Sequence, residues 1–298
     1  MKSSKYRNWE ISGHILMATL AILAIAPFII LVSSSFSDEA TVIRNGYSFF
    51  PKKFSLEAYK YIFEQWQIIG RGYMITIIVT CIGTLVGVSM SGTLGYVLSR
   101  KELPGRAIIL FLITFTMLFN GGLTATYINY TKIFHLKNTI WGLIIPGLLM
   151  NGYFVMTFRN YFENSIPVAL LEAAKIDGAS EFTTFVKIVL PLSGPIIATV
   201  GLPVALMYWN DWQNAMYYLN TNSKLQSIQS ILNNMNENIK FLQSNEGRSI
   251  ASQLDASQIP ETTIRMAIAV VGVLPLICIF PLLQNWLVRG LTVGAVKE

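Results

Sequence analysis

Charged side chains are scarce in this sequence. Asp, Glu, Lys and Arg make up 13% of its 298 residues, about half the share in an ordinary soluble domain. Disorder, collagen-like repeats and a nucleic-acid-binding tail are excluded as descriptions of the whole chain. Cysteine and histidine are scarcer still, with two of each. His14 and His135 are far apart and have no cysteine near them, so no zinc-ligand spacing exists. Cys81 and Cys278 each lie inside an apolar run, which disfavours a structural disulfide. The chain has no G-x-x-x-x-G-K-[ST] phosphate loop, no G-x-G-x-x-G after a strand and no G-x-S-x-G elbow. Nor does any long apolar run carry a Lys, Arg or Glu near its middle. That argues against a proton- or sodium-driven carrier and against a voltage sensor, whose intramembrane charges are their working parts.

What the chain has instead is apolar length. Hydrophobic residues reach 53%, and six stretches contain no Asp, Glu, Lys or Arg: Ile11–Ser37, Gly72–Ser99, Ala107–Thr131, Asn138–Phe158, Ile188–Asn210 and Met266–Val288. A membrane-crossing helix needs about 20 such residues. The expected fold is therefore all-α: a polytopic membrane protein with six transmembrane helices in a single domain spanning 1–298. The spans are drawn at about 11–36, 72–98, 107–130, 139–158, 192–213 and 265–288. The first run is too long for the core of a cleaved signal peptide, and further spans follow it. An even number of spans puts both termini on one side. Basic residues are denser in the loops that share that side, most clearly in the short Arg100–Arg106 loop, which makes the side cytoplasmic. The net charge of +6 then needs no nucleic acid to explain it.

Within the third span, Asn120-Gly121-Gly122 interrupts the apolar run, marking a helix end or a bend that lines a pathway. Two segments fall outside the membrane on the far side. Ser37–Arg71 mixes aromatic and charged residues. The second, at 220–263, is polar, but Leu225, Ile228, Leu232, Met235, Ile239 and Leu242 recur every three or four residues. That spacing predicts an amphipathic helix that caps the bundle or meets a partner.

The cytoplasmic loop at 159–190 carries the most information. It predicts a helix, a turn and a helix. Pro167 suits a first helical turn, Val168–Ile176 is rich in helix formers, and Asp177-Gly178 is a turn that tolerates positive φ. Ser180 is a helix cap, and Pro191 precedes the next span. Within this loop Glu172-Ala173-Ala174, three residues, Gly178, nine residues, Ile188, one residue and Leu190-Pro191 resemble the full EAA signature of ABC importer permeases. The ending Gln284-Asn-Trp-Leu-Val-Arg-Gly290-Leu-Thr-Val-Gly294-Ala-Val-Lys297 resembles that of the second permease of maltose-type sugar importers. Asn120-Gly-Gly-Leu-Thr-Ala-Thr-Tyr127 and Trp209-Asn-Asp-Trp212 are similar to the branch handling complex oligosaccharides, with Ala125 where that branch usually has Pro.

The resemblance implies a non-catalytic subunit of an ATP-driven importer in a bacterial cell membrane. It pairs with a second homologous permease, two ATPase subunits that bind ATP and Mg, and an extracellular solute-binding protein. This chain itself then holds no cofactor and no metal. Glu172, Ala173, Ala174, Asp177, Gly178, Leu190 and Pro191 would couple it to the ATPase, and the substrate would be an oligosaccharide. Tyr208, Trp209, Asn210, Asp211 and Trp212 combine aromatic faces with hydrogen-bonding groups, which suits sugars. A helix starting near Pro195 puts Asp211 about 24 Å along it, where Trp and Tyr also gather as interface anchors. Asn151, Tyr153 and Gln284 are weaker pathway candidates. The alternatives are a permease of the same kind for glycerol phosphate or peptide, and a membrane scaffold that moves nothing.

Overall fold

A backbone surrounded by lipid has no water to bond, so apolar runs of this length become helices. The computed structural model describes residues 4–244 and 262–278, and helices dominate them, with no strand among those residues. In chain order the first helices are α1 (Ser4–Ser35), α2 (Glu39–Asn45), α3 (Glu57–Glu64), α4 (Trp66–Ser99) and α5 (Arg106–Leu118). Next come α6 (Gly122–Ile128), which runs into a π turn at Asn129–Ile133, then α7 (Trp141–Ile144) and α8 (Gly152–Ser165). They are followed by α9 (Val168–Ile176) and α10 (Glu181–Thr184), with a second π turn at Phe185–Val189, then α11 (Leu190–Leu192) and α12 (Gly194–Trp209). The last are α13 (Gln213–Tyr218), α14 (Ile228–Gln243) and α15 (Thr262–Cys278).

Two helices are by themselves long and apolar enough to cross a membrane: Trp9–Ser35 within α1, and α4. Two more crossings arise if each sharply bent pair counts as one, α5 with α6 at 117° and α10–α11 with α12 at 78°. The interruption expected at Asn120 is thus a true break. The Asn120 side chain there accepts the Gly122 N–H at 2.9 Å. The span drawn at 139–158 is not one continuous helix. It divides into α7 and α8 around Pro146, which lacks the N–H a helix would need, and Asn151 restarts it by accepting the Tyr153 N–H at 2.9 Å. The second half of the span drawn at 265–288 lies outside the described residues.

The chain divides into two compact units, Met1–Ile69 with Leu232–Leu276, and Gly70–Ile231 with Ile277–Glu298. In the first, the apolar stretch of α1 is largely exposed before Ser33–Ser35, which are buried, so lipid or another chain must cover it. Below it, Phe36 stacks on Phe54 and Tyr59 with centroids 5.6 and 4.7 Å apart. Asp38 caps α2 through Thr41 and meets Lys53 at 3.1 Å. The Lys53 ammonium, then the Thr41 hydroxyl, hold the Asp38 carboxyl below its ordinary pKa. Glu39 reaches 223 residues along the chain to accept the Thr262 N–H at 2.8 Å. It also accepts the Thr263 N–H and hydroxyl at 2.8 and 2.7 Å, which supplies the start of α15 with an acidic cap.

The second unit is built on α4. Phe154, Phe158 and Phe162 of α8 and Val200, Val204 and Tyr208 of α12 form one buried cluster with Val79 and Tyr96 of α4. Among apolar helices in lipid, burial adds little drive, and close approach of backbones does more. Glycines on α4 supply that approach. A Cβ on Gly95 would lie 2.6 Å from the Phe158 Cβ and 3.0 Å from the Arg159 nitrogen and the Val155 oxygen. Gly87 likewise faces the Leu149 carbonyl, and Gly83 the Tyr208 ring. The amphipathic helix expected in 220–263 is α14, and its first turn packs on α4. Ile228 is fully buried, its N–H is donated to the Thr76 hydroxyl at 2.8 Å, and Gly72 lies beneath Ile228 and Ile231.

Gly95→Val should force α4 and α8 apart at a cost of about 1–3 kcal/mol, the usual range for overpacking. Its unfolding midpoint in detergent should fall relative to wild type. Gly13→Val, at a position with nothing within 4 Å, should leave the midpoint unchanged.

Candidate functional site

The segment between α8 and α12 is held by local backbone chemistry. Any helix leaves its last carbonyls unbonded. At the end of α9 the Gly178 N–H returns to the Lys175 carbonyl (3.2 Å) and the Ala179 N–H to the Ala174 carbonyl (2.9 Å). This paired closure requires a left-handed residue after the helix, and Gly178 has φ +75°. Two residues on, Ser180 accepts the Thr183 N–H at 3.2 Å and starts α10. The helix, turn and helix expected here is therefore present, with Pro167 standing just before α9 as its cap residue. Downstream, Ser193 donates to the Val189 carbonyl at 2.6 Å where the chain bends into α12.

Ala174 is the buried foot of α9. Glu172, Ala173, Lys175, Asp177 and Gly178 are exposed, and so are the large apolar side chains Val168, Leu170, Ile176 and, on α10, Phe182. Ile176 is 86% exposed. Leu190 and Pro191 also face outward. Val168, Glu172 and Ile176 follow one another at i, i+4 spacing, so an exposed carboxylate stands between exposed apolar side chains on one side of α9.

Behind this face lie two groups of ionic contacts that the sequence reading did not assemble. Arg106 and Arg159 both bind Glu163, at 2.9 and 2.7 Å, and all three side chains are only about a fifth exposed. Arg106 also donates through Nε to the Leu98 carbonyl at 2.8 Å, tying the 100–106 loop to the ends of α4 and α8. The second group joins Tyr96, Arg100 and Glu181. Each group contains a pair at i, i+4 spacing, Arg159 with Glu163 and Tyr96 with Arg100, and this was the signal available in the sequence.

The residues suggested for a sugar pathway fall into two sets. Tyr208 is buried and donates its hydroxyl to the Ile144 carbonyl at 2.9 Å. Trp209 is buried near Tyr73, with ring centroids 6.4 Å apart. Asp211 accepts the N–H groups of Gln213 and Asn214 at 3.1 and 3.2 Å and so caps α13, while its carbonyl accepts the Ser227 hydroxyl at 3.0 Å. Asn151 caps α8. Asn210, Trp212 and Tyr153 are exposed. Asn210 spends one amide bond on the Leu206 carbonyl at 3.0 Å. Gln284 lies outside the described residues, as does the tail from Gly290.

Residues 82–293 match the family described as binding-protein-dependent transport system inner membrane component. The polygalacturonan/rhamnogalacturonan transport system permease protein YtcP of Bacillus subtilis (strain 168) is 38% identical over 287 residues, which cover 96% of both chains. Protein LplC of the same organism is 33% identical, over 98% of this chain and 95% of its own. Among solved structures, a chain from the crystal structure of a bacterial ABC transporter involved in the import of the acidic polysaccharide alginate superimposes with a TM-score of 0.78. That match has 29% identity and covers 96% of this chain and 98% of the other. With the bent helices, the paired short helices of α9 and α10 and these matches together, the chain belongs to the binding-protein-dependent transport system family, as its inner membrane component.

Proposed function

We propose that this chain is one permease of an ATP-driven ABC importer for oligosaccharides, acidic ones above all, with α9 as its seat on the ATPase. The carrying observation is the outward face of α9, where Glu172 stands among exposed apolar side chains on a helix closed by Gly178. A carboxylate there meets basic groups of a cytoplasmic partner, and the apolar residues around it gain by being covered. The chain lacks a phosphate loop, so the energy comes from the subunit that docks at this face. The acidic substrate class draws on the relatives named for polygalacturonan and alginate.

In this reading the whole chain is one permease domain with six spans and both termini on the ATPase side. The bent pair of α5 and α6 makes one span, α7 with α8 makes another, α12 makes the fifth and α15 begins the last. A second homologous permease covers the exposed faces that lipid does not. An extracellular binding protein delivers the sugar, and the exposed Asn210, Trp212 and Tyr153 are the pathway candidates with free polar or aromatic surface.

Three measurements bear on this reading. Glu172→Lys should place like charges in contact, a change worth several kcal/mol at a docking surface. Gly178→Val should add strain of about 1–3 kcal/mol at a positive-φ position. In both variants the ATPase should be lost on co-purification while the permease pair persists; full retention of the ATPase by both would remove the docking assignment. Separately, the binding protein of the same transport system should retain oligogalacturonides on a glycan panel in preference to neutral maltose- or arabinose-based oligosaccharides. Retention of neutral glycans alone would overturn the acidic class and leave the coupling reading standing.

A further inference from the structure

Tyr96 stands near the end of α4, where three segments meet. Its buried ring lies edge-on to Phe162 of α8, centroids 5.9 Å apart at 87°, and tilts onto Phe185 of the second π turn at 4.8 Å. Its hydroxyl donates to Glu181 Oε2 at 3.0 Å, the first residue of α10. The same hydroxyl accepts from Arg100, whose guanidinium sits 4.7 Å from the centre of the Tyr96 ring and reaches the same Glu181 oxygen at 3.3 Å. By contrast, among the described residues α9 has no side-chain hydrogen bond or ion pair to another element.

We infer that Tyr96, Arg100 and Glu181 form a clasp that makes α10 and its π turn move with the ends of α4 and α8. The inference rests on the proposed role of α9 as the ATPase seat. A push on α9 would be absorbed in the loop if α10 could swing freely about Ser180 and Ser193. The clasp removes that freedom, so the displacement enters the packed helices of the second unit. An exposed ion pair does little alone, and the Glu181 side chain is 72% exposed. The hydroxyl of a ring locked between two phenylalanines gives that carboxylate a fixed point. Tyr96, Arg100 and Glu181 are thus positioning residues, which act through the helices they join and touch no sugar.

The test uses the complete importer in proteoliposomes, with its binding protein and an oligogalacturonide mixture as ligand. Tyr96→Phe keeps the ring and removes the hydroxyl. Glu181→Lys reverses the charge at a position too exposed to unsettle the fold. Both should bind wild-type amounts of ATPase and keep basal hydrolysis. The stimulation of hydrolysis by loaded binding protein should fall at least threefold. Arg100→Glu combined with Glu181→Arg rebuilds the pair around the same hydroxyl and should restore at least half of the stimulation. Undiminished stimulation in both single variants overturns the clasp. So does loss of ATPase from Glu181→Lys that the exchanged pair fails to repair, because Glu181 would then be a docking residue. Glu172→Lys, measured alongside, separates the two ideas: retained ATPase there counts against the docking seat, whereas the clasp is judged on stimulation.

Discussion

A helix that stops within or against an apolar phase leaves amide and carbonyl groups that water cannot reach, and each must find a partner in the chain. This chain stops its helices repeatedly, and the side chains at those stops account for much of its architecture. Asn151 restarts α8, Ser180 starts α10, Asp211 starts α13 and Glu39 closes the start of α15 from far along the sequence. Gly178 ends α9 by letting two amides turn back onto its last carbonyls. Several polar residues that look available for ligands are therefore occupied by the backbone. Asp211 and Asn151 are the clearest cases.

In the segment between α8 and α12 the helix ends are exposed to solvent, yet they too are closed within the chain. Its two short helices need no large core, because their ends are closed locally by Gly178 and Ser180. α9 is anchored by Ala174 and leaves its other faces outward, while α10 is bound behind by Glu181 to Tyr96 and Arg100. One short helix is free to meet a partner, and the other is joined to the apolar helices. Glu163, held by two arginines, stiffens the adjacent ends of α4, α5 and α8. A rigid base with an exposed tip suits the proposed docking of an ATPase at α9.

Packing within the second unit follows a different rule from that of a soluble core. Lipid is as apolar as leucine, so the gain lies in bringing helix backbones close. Gly83, Gly87 and Gly95 line the sides of α4 that meet Tyr208, Leu149 and Phe158. The aromatic residues of α8 and α12 fill the space that the glycines leave.

Much of this was legible from residue order alone. Helix class, the apolar runs, the break at Asn120, the amphipathic α14 and the helix-turn-helix around Gly178 all depend on neighbours a few residues apart, which is the range over which periodicity, proline and glycine act. The spacing from Glu172 to Pro191 belongs to the same range, and it carried the family resemblance. Three kinds of fact were decided by tertiary structure, because they join residues whose separation in sequence says nothing of their distance. Tyr208 is committed to a carbonyl 64 residues away, Glu181 to a tyrosine 85 residues away and Glu39 to an amide 223 residues away. Composition at Tyr208–Trp212 could indicate groups suited to sugars, but only packing decided which of them keep a free face. The run at 139–158 likewise read as one helix by hydropathy, whereas Pro146, whose carbonyl accepts from Asn214 at 3.0 Å, and the cap at Asn151 divided it into two.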